Sequence, residues 1–261
     1  MSLLTLITSI DPSTAHLIHF IFEWLGVLSG VQVYRWIKRR KGQHGLTEGS
    51  SFAVVFGCIL GAGIGNKLMF GLEMPDLIAE HGLLMLLSGQ SIVGGLLGGL
   101  IGVEIAKKIT GLKQSTGDDF VWPLIVGTIV GRIGCFLAGL NDGTFGNPTV
   151  LPWGIDFGDG IARHPTQLYD MLWVSSIGGL LWANRQTLQR VSGLSFKLYL
   201  AGYLFWRFWV DGIKPIPYVY PLGLSGIQWA CLIALIIYLP LVWRDLRKLS
   251  VVQPHTTTPH A

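Results

Sequence analysis

Two arginines stand where the chain gives a charge no cheap place to go. Arg132 lies inside LIVGTIVGRIGCFLAGL (124–140) and Arg207 inside YLAGYLFWRFWVDG (199–212). An unpaired arginine at bilayer depth costs at least about 2.5–3.5 kcal/mol, so such a residue faces a cavity, a partner or a ligand. The guanidinium is also the side chain best matched to a phosphate. Two of them in apolar runs point to a polar chamber in a membrane protein, and first of all to a site for an anionic lipid head group. The alternative is a structural ion pair, with Asp211 or Glu104 as the partner.

Other polar residues gather near these arginines. Gly131-Arg132-Ile133-Gly134-Cys135-Phe136 is followed by Asn141, Asp142 and Gly143. His164-Pro165-Thr166-Gln167-Leu168-Tyr169-Asp170 opens another apolar stretch, with Pro165 suited to a first helical turn. Tyr203, Arg207, Asp211 and Lys214 fall at offsets of four, four and three, which puts them on one helical face. Ser91-Ile92-Val93-Gly94-Gly95-Leu96 forms a fourth cluster. His16, His19 and Glu23 also share a face that could ligate a metal; without a fourth ligand they are read as interfacial polar residues, and no metal or cofactor is expected.

The elements that must position these residues are membrane helices. The chain is 50% hydrophobic and only 13% charged, where soluble domains run at about 25%. Its mean hydropathy is +0.51. Apolar segments of spanning length lie at 17–36, 52–70, 83–106, 120–139, 167–184, 197–212 and 223–243. Fourteen of the nineteen Lys and Arg fall in four patches, Arg35–Lys41, Lys107–Lys113, Arg185–Lys197 and Arg244–Lys248. Seven spans make these patches alternate with the acidic or neutral connections 71–82, 139–166 and 211–222. The positive-inside rule then sets the N-terminus outside and the C-terminus in the cytosol. The predicted fold is an all-α polytopic membrane protein, since lipid satisfies no backbone hydrogen bond. Counted along their spans, Arg132 lies about 18 Å and Arg207 about 15 Å from the cytosolic side, so the two share a depth.

The rest of the chain fits one transmembrane domain over 1–252, with 253–261 read as a disordered tail. The first fifteen residues lack a basic n-region and an A-x-A site, so the first apolar segment is expected to be an uncleaved anchor. The connection 139–166 is long enough to be functional and is read as a β-hairpin or irregular arm over the outer mouth. The glycines of GCILGAGIG (57–65) and GGLLGGLIG (94–102) suit close helix packing, or let a lipid chain approach the backbone. Cys58, Cys135 and Cys231 are scattered through apolar segments and read as buried packing residues. The net charge of +4 is no nucleic-acid signal, because its distribution follows the membrane.

These motifs resemble the bacterial phosphatidylglycerol–prolipoprotein diacylglyceryl transferase family. That family carries G-R-x-G-N-F followed by an acid and Gly, then H-P-[ST]-Q-L-Y-[ED], then Y-x3-R-x3-E-x2-R, on seven spans with the N-terminus outside. The resemblance covers spans two to seven, and Gly223–Trp229 (GLSGIQW) matches the start of the last one. It implies a multi-pass protein of the bacterial cytoplasmic (inner) membrane. The implied partners are phosphatidylglycerol or another anionic phospholipid, and a prolipoprotein signal peptide.

The reaction implied is attack of a lipobox thiol on a glycerol carbon, with glycerol phosphate leaving. Arg132 and Arg207 would hold the phosphate. Gly131, Gly134, Gly143, Gln167, Asp211, Lys214, Gly94 and Gly95 would line the lipid site. Asn141 and Asp142 either bind the glycerol head or form a turn. His164 is either a base or a helix-start residue tied to the outer loop, and Tyr203 either bonds the head group or is a plain interior aromatic. The chain departs from the family at several points: Val93 stands where the family has His, Cys135 where it has Asn, and Gly63 where it has Arg, with Lys67 one turn on as a substitute cation. Two other classes stay open. One is a non-catalytic paralogue that binds or moves an anionic lipid. The other is a solute transporter, disfavoured because no inverted repeat is visible.

Overall fold

The first helix shows how the sequence sets its elements. In the computed structural model, which describes residues 11–42 and 50–251, α1 runs Pro12–Arg40. Asp11 caps it by accepting from the backbone N–H groups of Ser13 and Thr14, each at 3.0 Å. Pro12 occupies the first turn, where a missing N–H costs nothing, and Lys38, Arg39 and Arg40 complement the negative helix end. The side-chain pattern is that of a helix in lipid: Ala15, Gly26 and Gly30 face the interior, while Leu17, Phe20, Trp24 and Leu28 are each more than half exposed.

The remaining elements are α2 (Ser50–Glu73), a short α3 (Pro75–His81), α4 (Ile92–Thr110), α5 (Val121–Ala138), α6 (Thr166–Ala183), a single turn α7 (Arg185–Leu188), α8 (Leu194–Asp211) and α9 (Gly226–Val251). Four segments are long and apolar enough to cross a membrane by length and composition: Pro12–Arg40, Phe52–Glu73, Gly117–Asp142 and Gly226–Leu249. The other long helices among the described residues are diluted by polar groups. In α6 and α8 those groups, Thr166, Gln167, Asp170, Arg207 and Asp211, are buried and so belong to the interior. The tail at 253–261 and the first ten residues, on which the uncleaved-anchor reading partly rests, lie outside the described residues.

Two sequence expectations are corrected here. The third apolar stretch does not start as a helix at residue 83. Gly82 takes a left-handed φ of +84°, Leu83–Leu87 forms a 3-10 turn, and α4 begins only at Ile92 after an extended Ser91. Lys67 holds this irregular segment: its Nζ donates to the carbonyls of Leu87 at 3.0 Å and Gly89 at 2.8 Å. It therefore braces backbone and does not stand in for the family's second-span arginine. The expected arm is a minimal hairpin. β1 (Ile155–Asp156) pairs antiparallel with β2 (Ala162–Arg163), and the PTVL stretch before it makes only an isolated bridge. Asp156 Oδ1 accepts from the backbone of Gly158, Asp159 and Gly160 and so closes the turn.

Glycine sets the closest approach in the bundle. Gly57, Gly61 and Gly65 of α2 meet Gly94, Gly98 and Gly102 of α4 backbone to backbone, and a Cβ at Gly61 would collide with the Gly98 carbonyl oxygen. Small residues that let helices touch this way give membrane bundles their van der Waals packing. At the basic end, Lys38 of α1 and Lys41 just after it both pair with Asp119, at 2.6 and 2.5 Å, just before α5. Asp118 accepts from the backbone N–H groups of Gly193 and Phe196 and fixes the start of α8. We expect Gly61→Val to lower the thermal unfolding midpoint in detergent by an amount equal to about 1–3 kcal/mol of overpacking. Gly63→Val, which meets nothing within 4 Å, should leave it unchanged.

Candidate functional site

Asp170 organises the interior. It lies one turn into α6, fully buried, where its charge must be matched. Arg132 Nε, from α5, donates to Asp170 Oδ2 at 2.9 Å, and Arg207 Nη1, from α8, reaches the same oxygen at 3.4 Å. Trp206 Nε1 donates to the other oxygen at 2.7 Å. Arg207 Nη2 also pairs with Asp211, one turn on, at 3.4 Å. Asp211 in turn accepts from Ser225 Oγ. Ser225 and Gln228 cap α9 reciprocally: Gln228 N donates to Ser225 Oγ, and Ser225 N to Gln228 Oε1, each at 3.0 Å. The Ser/Gln pattern of GLSGIQW is thus a capping box that also delivers a hydroxyl to the site.

Beside this network lies a cavity of about 1620 Å³. Arg132, Arg207, Asp211 and Lys214 all line it. The side chain of Lys214 makes no hydrogen bond or ion pair among the described residues. Three basic groups thus share the cavity wall with the carboxylates of Asp211 and Glu73. Two buried polar atoms, Arg207 Nε and Tyr203 OH, have no partner, and such atoms call for a ligand or water. Lys214 lies three residues beyond α8, outside the long helices. Burial, and next the Arg207 guanidinium, push it down to about 7.

A second cluster sits where α5 ends. Asp142 pairs with His19 Nδ1 from α1, and Cys135 Sγ lies 4.0 Å from the same nitrogen. Arg132 Nη1 donates to Cys135 Sγ at 3.7 Å and so touches both clusters. Thr144 Oγ1 donates to Asp142, and Gln167 Nε2 donates to Thr144 Oγ1 at 3.2 Å. Gln167 thus acts on Asp142 through a hydroxyl. Of the His16, His19 and Glu23 face, His16 is exposed and Glu23 lines the cavity, while His19 has these new neighbours.

Several sequence-predicted site residues are placed elsewhere. His164 packs its ring on Tyr169, with Nδ1 3.2 Å from the Tyr169 hydroxyl, and its backbone bonds Gly146 and Asn147. It is a helix-start residue tied to the arm, away from the cavity. Gly94 packs against the Gly65 carbonyl and Gly134 against Phe22, so both serve helix contact. Asn141 is exposed. Gly95, Gly131, Asp142 and Gly143 do line the cavity. Tyr203 is buried behind the wall, stacked on Tyr199. Glu104 bonds Lys107 at 2.9 Å and partners neither arginine. Val93 is wholly buried in an apolar cluster with Leu200 and Leu204. Sequence reasoning gave Asp170 no role, although an acid near the start of an apolar span marked it; it grouped His19 with His16 and Glu23, and its meeting with Cys135, 116 residues away, left no signal.

Bundle, cavity and shared carboxylate define a helical membrane protein with a cation-lined internal chamber. The family model described as prolipoprotein diacylglyceryl transferase matches residues 12–244. The phosphatidylglycerol–prolipoprotein diacylglyceryl transferase of Methylobacillus flagellatus is 34% identical over 243 residues, covering 85% of this chain and 91% of its own. The protein of the same name from Geobacter sulfurreducens is 30% identical over 217 residues, 77% of this chain and 81% of its own. That from Polynucleobacter asymbioticus is 34% identical over 207 residues, 74% and 76% respectively. The chain belongs to the prolipoprotein diacylglyceryl transferase family.

Two outcomes follow from the geometry. Asp170→Ala strands two buried guanidinium groups and should cost about 3–5 kcal/mol in chemical unfolding in detergent; an unchanged midpoint would mean that neither arginine depends on it. Lys214 is charged below about 7 and neutral above, so its pull on an anionic head group is present at low pH and lost as pH rises through that value. Binding of a phospholipid, measured from pH 5.5 to 8.5, should weaken upward through about 7, and Lys214→Arg should flatten the profile because arginine stays charged throughout.

Proposed function

We propose that this protein transfers the diacylglyceryl group of phosphatidylglycerol to the thiol of a prolipoprotein lipobox cysteine. It does so from the bacterial cytoplasmic membrane, which all seven long helices span with the N-terminus outside and the C-terminus in the cytosol. The alternation of basic patches with acidic or neutral connections supports that orientation. The observation that carries the reading is the pair Arg132 and Arg207, joined at Asp170 on the cavity wall. With Lys214 the cavity wall offers three basic groups to a phosphodiester.

The chemistry asks for charge stabilisation that grows along the reaction. Sulfur forms a bond to the glycerol carbon, the carbon–oxygen bond to phosphate breaks, and its electron pair leaves with glycerol phosphate. The phosphate goes from about one negative charge to two, so preorganised cations favour the transition state over the bound lipid. Arg207 is held at both ends by Asp170 and Asp211, which fixes its direction. Asp142 and Thr144 offer hydrogen bonds at the end of the cavity nearest the arm and suit the glycerol head group. The acceptor thiol must become a thiolate, and the buried Val93 supplies no base for that. That valine favours the second reading, a paralogue that binds or moves an anionic phospholipid without turnover.

Purified protein with labelled phosphatidylglycerol and a lipobox peptide separates the two. The transferase reading expects glycerol phosphate release, reduced by about 10²–10³-fold in Arg132→Ala, and weaker lipid binding in Arg207→Ala. Tight lipid binding with no release would leave the paralogue.

A further inference from the structure

His19, Cys135 and Asp142 come from α1, α5 and the turn after α5, yet one donor atom from each lies within 4.8 Å of the others. Two kinds of chemistry use such a trio. In a nucleophile relay, the histidine takes the thiol on one ring nitrogen and the carboxylate on the other. That is not the arrangement here. Asp142 Oδ1 and Cys135 Sγ both approach His19 Nδ1. A proton on that nitrogen can bridge to one of them only. A cation among the three can be shared by all.

We infer that His19, Cys135 and Asp142 form a binding site for a divalent metal ion, with zinc the ion their donor set selects and an open position facing the cavity. An imidazole, a thiolate and a carboxylate are the ligand types of zinc sites, and three protein ligands with a free fourth position mark the catalytic kind. The surroundings match. Thr144 donates to the second oxygen of Asp142 and is itself held by Gln167, so the carboxylate is oriented from behind. Arg132 donates to the sulfur and so orients it toward the cluster. All three residues line the cavity.

The use of this site rests on the transferase reading. An acceptor thiol taking the open position displaces a water, gives that water its proton and binds as thiolate. Its sulfur then forms the bond to the glycerol carbon as the carbon–oxygen bond to phosphate breaks.

The test uses the full chain, purified in detergent with a tag that contains no histidine, after expression in zinc-supplemented medium. Elemental analysis should give about one zinc per chain, and both Cys135→Ala and His19→Ala should fall to background with unchanged circular dichroism. Should Cys135→Ala fail to fold, Asp142→Asn takes its place. Cobalt added in place of zinc should show thiolate-to-cobalt absorption in the wild type and none in Cys135→Ser. Background metal in the wild type after zinc loading, or full zinc in the His19 and Cys135 variants, overturns the inference. The transfer assay run on the same samples keeps the two ideas apart. Turnover without metal ends the metal site and leaves the transferase; zinc bound through these residues without turnover does the reverse.

Discussion

A buried guanidinium must meet a carboxylate, and in this chain one carboxylate meets two. Asp170 is inaccessible to solvent, and Arg132 and Arg207 converge on a single one of its oxygens. Removing these ions from water is costly, and the cost is recovered only where geometry and further hydrogen bonds are good. Trp206 and Asp211 supply those bonds. The network still does not neutralise itself, because Arg207 Nε and Tyr203 OH stay unpartnered and Lys214 adds another positive group. That remainder is what supports the proposed anion site over a self-sufficient structural ion pair.

The bundle makes room for this by a division of labour among side-chain sizes. Large aliphatics face outward, glycines close the seam between α2 and α4, and other faces of the same two helices line the cavity. Gly94 belongs to the seam and Gly95, one residue on, to the cavity. One helix thus carries both functions on adjacent faces. Val93 turns to the apolar interior, so in this fold the cavity wall at that level is made by backbone and Ile92.

What the sequence made legible was whatever the membrane penalises. Arginines in apolar runs and regularly spaced glycines each break a rule of lipid solubility or obey one visibly, and the first line a cavity while the second close a helix seam. What stayed hidden depended on distant pairing. Lys67 looked like a free cation because its partners are backbone carbonyls, which no pattern marks. His164 looked catalytic because the motif that carries it is distinctive, but the motif's inward-facing members are Thr166, Gln167 and Asp170. The start of α4 was misplaced because Leu83–Leu87 is apolar enough for a helix, while Gly82 and the pull of Lys67 hold it in another shape.

Arg132 ties the two clusters into one site. Its Nε is committed to Asp170 and its Nη1 to Cys135. A guanidinium has five N–H donors in a rigid fork, so the Nη2 pair remains for a ligand in the cavity. Binding an anion to Nη2 therefore also fixes the donor to sulfur, because the fork cannot turn at one end without turning at the other. The position where the family has asparagine and this chain has cysteine thus sits within reach of the same group that would hold the phosphate. On the proposed reading, the charge offered to the donor lipid and the donor to the Cys135 sulfur are two ends of a single side chain.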